Sequence, residues 1–110
     1  MSVIFEEHEF TDAEFNAYNT FQEANGLWAI WSIYGIKLDD PSFFNVGDVI
    51  RNQCDYYGYN VQSVVEGTGK WSDVYKACNR VIVDSGDHDH AFIEGFRRLE
   101  DGSLKVITGS

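Results

Sequence analysis

Basic residues are absent from the first third of the chain and are outnumbered in the rest. Residues 1–36 hold six acidic residues and no lysine or arginine, and the 110-residue chain has a formal net charge of −10 and a sequence pI of about 4.4. An acidic surface repels nucleic-acid phosphates and anionic lipid headgroups. We therefore expect no direct nucleic-acid binding and no membrane attachment, and the charge favours a partner protein with a basic surface.

Cysteines and long apolar runs are also scarce. The two thiols, Cys54 and Cys78, are too few for a disulfide framework, and both fall on apolar faces of predicted helices, which is typical of core thiols. The most apolar stretch, residues 27–36, is about half the length that spans a bilayer. Residues 1–9 have neither the basic start nor the apolar run of a signal peptide. These absences predict a cytoplasmic protein, in the host cytoplasm if the chain is viral.

Aromatic residues, in contrast, are plentiful. Three Trp, six Tyr and eight Phe give an aromatic content of 15%. Such side chains can bury enough apolar area to offset the entropy of ordering a chain of this size. We expect residues 1–110 to form a single domain, because the chain has no internal linker and no repeat.

Two segments carry strong helix signals. Thr11 and Glu14 form a capping box for a helix from Asp12 to about Asn25, stopped at Gly26 and stapled by Phe10 against Phe15. An amphipathic stripe predicts a second helix from Trp71, capped by Ser72, to about Ser85.

The remaining elements are assigned from shorter patterns. Apolar residues at helical spacing predict another helix between Asn45 and Gly58. Strands are predicted at residues 3–5, 27–38, 59–66, 90–99 and 104–108, with a two-residue turn at Asp101-Gly102 joining the last two. The resulting fold class is α+β, with about three helices packed on a mixed sheet of four or five strands that ends in a β-hairpin.

The segment Asp87-His88-Asp89-His90 is the densest cluster of metal-ligand residue types. On an extended chain His88 and His90 point to one side, and two histidines at this spacing can hold a metal ion. A closed site needs a third or fourth ligand, and the sequence offers none at recognisable spacing. A polar turn is therefore the favoured interpretation, and we expect no cofactor.

Two other motifs have structural interpretations. Gly67-Thr68-Gly69-Lys70 lies between a predicted strand and a predicted helix, but it lacks the first glycine and the final Ser or Thr of a phosphate-binding P-loop. The tyrosines around Gly58 resemble an interface hot spot, with Tyr56 facing solvent, although helix-end packing also explains them.

The charge asymmetry is the main functional indication. It favours a binding protein over an enzyme: a small acidic module that docks on a basic partner, by analogy with inhibitors that mimic nucleic-acid charge and block nucleic-acid-binding proteins of host defence. The candidate partner-binding residues are Glu6, Glu7, Glu9, Asp12, Glu14, Glu23, Asp39 and Asp40.

Three alternatives stay open. One is a small metal-dependent enzyme or metal-binding module that uses the Asp87–His90 cluster. A second is a structural subunit that assembles through the apolar segment 27–38. The third is a plain solvated surface, in which the acidic residues only keep the protein soluble.

Overall fold

The computed structural model describes residues 11–110, which form two helices and five strands. The strand predicted at residues 3–5 and Phe10 of the predicted staple lie outside the described residues. In chain order the elements are α1 (Asp12–Asn25), β1 (Ile30–Trp31), β2 (Val49–Cys54), β3 (Tyr59–Val64), α2 (Trp71–Ser85), β4 (Phe92–Arg98) and β5 (Leu104–Gly109).

The five strands form one mixed sheet in the order β1-β4-β5-β2-β3. The pairs β1–β4 and β5–β2 are parallel, and the pairs β4–β5 and β2–β3 are antiparallel. β3 lies at one edge of the sheet, and its six residues, Tyr-Asn-Val-Gln-Ser-Val, include no charged side chain and no proline.

The first predicted helix is confirmed together with both of its ends. Thr11 has an extended backbone, and its hydroxyl accepts a hydrogen bond of 3.1 Å from the Glu14 amide. Gly26 adopts the left-handed conformation, with φ of 62°, and its amide donates to the last turn. These signals are local in sequence, so no distant contact is needed to produce them.

The predicted helix over 71–85 is also confirmed, but its N-cap is Lys70 and not Ser72. Its apolar stripe packs against β2 and β3 and supplies much of the core. Trp31 of β1 lies 5.3 Å from Tyr75 and 6.1 Å from Trp71, measured between ring centroids. This aromatic cluster joins α2 to the β1 edge of the sheet.

The prediction of a long strand over residues 27–38 is wrong for most of its length. Only Ile30 and Trp31 pair with β4, and the chain then turns at Gly35, whose φ is 78°. Ile33, Ile36 and Leu38 are nevertheless buried. These residues are apolar because they belong to a loop that packs on the core. A buried loop and a buried strand have similar apolar composition, so composition alone cannot distinguish them.

The helix predicted between Asn45 and Gly58 is also wrong, because this segment contains β2. The Asn45 amide does donate to the Asp48 carboxylate, at 2.8 Å, but the turn leads into a strand. Ile50 and Asn52 face the core, where the side-chain amide of Asn52 donates to the Val81 backbone carbonyl of α2 at 3.4 Å. Flanking strands β5 and β3 on both sides stabilise the extended form.

The described part of the chain is therefore a compact α+β domain with two helices and five strands, and the expected third helix is absent from it. The closing hairpin is present, but its loop has three residues, because the Leu99 amide donates to the Ser103 carbonyl. Neither α1 nor α2 is long and apolar enough to cross a membrane.

Candidate partner-binding site

The predicted acidic residues that the structure describes are found in three different settings. Glu6, Glu7 and Glu9 lie outside the described residues. Asp12 and Glu23 are exposed on α1, and because they are eleven residues apart they share one side of the helix, about 16 Å from each other along its axis. Asp39 and Asp40 are exposed on the segment that follows β1.

Glu14 contributes to the fold as well as to the charge. Its carboxylate accepts hydrogen bonds from the Thr11 hydroxyl, the Tyr18 hydroxyl and the Gly35 amide. Tyr18 also donates to the Ile36 carbonyl at 2.6 Å. Glu14 and Tyr18 therefore fasten α1 to the loop after β1.

The Tyr18 side chain of this attachment is buried. Burial raises the pKa of the Tyr18 hydroxyl to about 12, although the hydrogen bond that its oxygen accepts from the Ile36 backbone amide acts in the opposite direction. The phenol therefore stays protonated, and able to donate, throughout the physiological pH range.

An open groove of about 730 Å³ lies between α1 and residues 36–40; we call it the α1 groove. On the helix side its lining includes four small residues three or four positions apart, namely Ala13, Ala17, Thr20 and Ala24. These four side chains are exposed, although the surface of the groove is largely apolar. Residues at this spacing share one face of a helix, so another chain can approach the α1 backbone closely there.

The opposite wall of the α1 groove carries most of its charge. Lys37, Asp39 and Asp40 line it together with Ile36 and Leu38. Two backbone hydrogen bonds hold this wall against the start of α2: the Ser72 amide donates to the Leu38 carbonyl, and the Trp71 amide donates to the Asp40 carbonyl. The structure thus brings Glu14, Asp39 and Asp40 to one groove, whereas Asp12 and Glu23 lie outside its lining.

The Asp87–His90 segment is a hydrogen-bonded turn whose two histidines have different neighbours. His90 Nδ1 lies 2.8 Å from the Asp87 carboxylate, which also accepts from the Tyr59 hydroxyl at 3.2 Å. His88 is exposed and packs edge-on against Trp28. No three His, Cys, Asp or Glu residues among residues 11–110 form a candidate metal site.

Asp87 is held in its ionised form by this turn. Partial burial raises its pKa, but hydrogen bonds from His90, the Asp89 amide and Tyr59 outweigh that effect and place the pKa below its ordinary value. Burial and the Asp87 hydrogen bond together raise the pKa of Tyr59 to about 12.

The glycine-rich loop at residues 67–70 already contains a negative group. The amides of Thr68 and Lys70 donate to the Asp73 carboxylate at 3.0 and 3.3 Å. A side chain at Gly67 would collide with that carboxylate, since an added Cβ would lie 2.6 Å from it. Asp73 occupies the position that an anion would need, so this loop does not resemble a phosphate site.

Cys78 is fully buried in α2, where burial raises the pKa of its thiol well above the ordinary value. Such a thiol is not a nucleophile at neutral pH. Cys54 is half-buried at the end of β2.

Sequence reasoning named Glu14, Asp39 and Asp40, which line the α1 groove, but missed the apolar surface of that groove. The available signal was the repeat of small residues along α1, Ala13, Ala17, Thr20 and Ala24, on a helix with only one buried side chain, Tyr18. Comparison of the chain with protein-family models, curated proteins and solved structures gives no match. Its function is therefore inferred from its own surfaces.

Proposed function

We propose that this protein is a small acidic protein-binding module that docks a basic partner in the α1 groove. The observation that carries the proposal is that the exposed carboxylates of Asp39 and Asp40 lie on the wall of an open, largely apolar groove. Interfaces combine an apolar centre with a polar rim, and this arrangement offers both.

The two parts of the groove would have different roles in binding. Burial of the exposed apolar surface along Ala17 and Ala24 would supply affinity, at about 25 cal/mol for each Å² removed from water. The carboxylates and the net charge of −10 would attract a basic partner and align it. A basic amphipathic segment is the partner chemistry that fits both.

The finer proposal is inhibition by mimicry of nucleic-acid charge, in the cytoplasm and, if the chain is viral, in that of a host cell. Residues 11–110 contain fifteen of the eighteen acidic residues and all eight basic residues, a net charge of −7. Asp12 and Glu23, on their own side of α1, extend the negative surface beyond the groove. A partner that normally binds phosphates would recognise such a surface.

The test is a pull-down from cell lysate at low salt, with mass spectrometry of the retained proteins. A charge-reversed variant, Asp39→Lys/Asp40→Lys, should lose the specific partner. A groove-filling variant, Ala17→Trp, should lose it without a change of charge. The matched controls are Glu94→Lys/Glu100→Lys, which reverses two exposed charges elsewhere, and Gln62→Trp on β3.

The competition step separates mimicry from simple docking. A partner released by DNA and by high salt, and dependent on the groove residues, supports the inhibitor proposal. A groove-dependent partner that DNA does not displace supports a protein-binding module without mimicry. If both groove variants retain every partner that the controls retain, the groove is not the binding site.

The metal-binding alternative has its own test. Metal analysis of untagged protein, and its thermal shift with zinc or manganese, would detect a site at His88 and His90. The geometry does not favour it, because the two side chains contact different neighbours and no third ligand joins them within residues 11–110.

A further inference from the structure

A second surface lies at the other end of α2 and consists of exposed aromatic rings; we call it the aromatic end. Tyr56 is 88% exposed, Tyr57 58% and Trp28 51%. The rings contact one another or the histidines of the loop after α2: Tyr56 with Tyr57 at 4.9 Å, Tyr57 with His90 at 5.9 Å, and Trp28 with His88 at 5.8 Å between centroids. Large exposed rings grouped in this way mark interaction sites.

Hydrogen bonds hold the segments that carry these rings. The Trp28 and Ala29 amides both donate to the Asn79 side chain, at 2.8 and 2.9 Å. Tyr59, just after the tyrosine pair, donates to Asp87, which also bonds His90. The rings are therefore presented by fastened backbone, and binding would require little further ordering of the chain.

The segments that form the aromatic end themselves contribute charge of one sign. The three segments that form it, residues 26–30, 54–60 and 84–91, contain four aspartates and no lysine or arginine. Asp87 is engaged within the turn, whereas the carboxylates of Asp55, Asp84 and Asp89 are exposed. A ligand for this surface must therefore be cationic and must tolerate contact with aromatic faces.

We propose that the aromatic end binds an arginine-bearing segment of a partner protein. The guanidinium group is planar and weakly hydrated, stacks on Trp and Tyr rings, and donates paired hydrogen bonds to carboxylates. Trp28 or the Tyr56–Tyr57 pair would provide the ring face, and the exposed carboxylates of Asp89, next to His88, and Asp55, next to Tyr56, would provide the acceptors. A lysine ammonium lacks the planar group that makes both contacts at once.

This inference goes beyond the proposed function, because the aromatic end and the α1 groove are separate. Segment 38–40 is bonded to the first turn of α2, and Asp87 follows its last turn, so the two surfaces are about 20 Å apart. A variant can therefore lose binding at one surface and keep binding at the other.

The test is a titration with the peptide acetyl-Arg-Gly-Arg-amide, followed by amide and indole resonances in NMR. Trp31 and Trp71 are buried, so the Trp28 indole N–H is the reporter of the aromatic end among the three tryptophans. We expect a saturable shift of the Trp28 and Tyr56 signals, with a dissociation constant on the order of 1 mM at low salt. The same peptide with citrulline in place of arginine keeps the shape without the charge and should shift them far less.

Two variants test the assigned groups. Asp55→Asn/Asp89→Asn should weaken the arginine peptide about three- to tenfold, and Glu94→Gln/Glu100→Gln should leave its affinity unchanged. Tyr56→Ala, at an exposed turn position, should weaken it with no change in folding.

Three results would overturn the inference. The first is an equal response to the citrulline peptide. The second is unchanged affinity in Asp55→Asn/Asp89→Asn. The third is the absence of a saturable Trp28 shift when the peptide concentration reaches about ten times the expected dissociation constant. Shifts confined to Ala17 and Leu38 would show binding in the α1 groove alone, which supports the proposed function and rejects this second surface.

Discussion

Removal of the Asn79 side chain should destabilise the protein through one buried backbone amide. The side-chain oxygen Oδ1 of Asn79 accepts hydrogen bonds from the backbone amides of Trp28 and Ala29, which lead into β1. Ala29 is fully buried, so in Asn79→Ala its amide loses its partner without gaining water. An unsatisfied buried donor costs about 1–3 kcal/mol, and the better helix propensity of alanine returns less than about 0.7 kcal/mol.

We therefore expect Asn79→Ala to lower the free energy of unfolding by about 1.5 kcal/mol and the melting temperature by about 6–10 °C. Urea denaturation measures the first and circular dichroism the second. Asn79→Asp is the matched control, because a carboxylate still accepts from both amides, and its loss should stay below about 1 kcal/mol. The reasoning is refuted if Asn79→Ala lies within about 0.5 kcal/mol of the parent protein, or if the aspartate variant is equally destabilised.

Two further predictions concern titratable groups. Because the folded pKa of Asp87 lies below the ordinary value of 3.8, its contribution to stability is complete above that pH and is lost as the pH falls further. Urea midpoints measured between neutral and acid pH should fall less steeply below about pH 4 in Asp87→Asn than in the parent, and parallel curves would contradict this assignment. Folded protein should react with iodoacetamide at Cys54 before Cys78, because the Cys78 thiol is buried and has a raised pKa. Peptide mass spectrometry measures the order of labelling, and faster labelling of Cys78 would contradict the prediction.

The sequence was sufficient where structure depends on neighbouring residues. The N-cap bond between the Thr11 hydroxyl and the Glu14 amide, the stop at Gly26 and the stripe of α2 all follow from interactions within one helix turn or one helix face. These signals keep their meaning in any tertiary setting, which is why both helix positions were predictable.

Prediction failed where distant partners decide the conformation. The segment around Ile50 has apolar residues at helical spacing, but its pairing with β5 and β3 selects the strand. The α1 groove likewise depends on the contact of Tyr18 with Ile36, eighteen residues away, which no local pattern encodes. The acidic residues were visible as a composition bias, but their division between Glu14, which fastens α1, and the exposed Asp39 and Asp40 was not.

The uncharged edge strand β3 has a consequence for handling the protein in solution. Such an edge can pair with the same edge of another copy, and most proteins block it with a lysine, a proline or a bulge. Here Arg80 covers the end of β3, where its guanidinium donates to the Val64 carbonyl, and repulsion between molecules of net charge −10 would protect the rest of the strand. Near the sequence pI of about 4.4 this repulsion disappears, so turbidity should peak there and decrease again on either side of that pH.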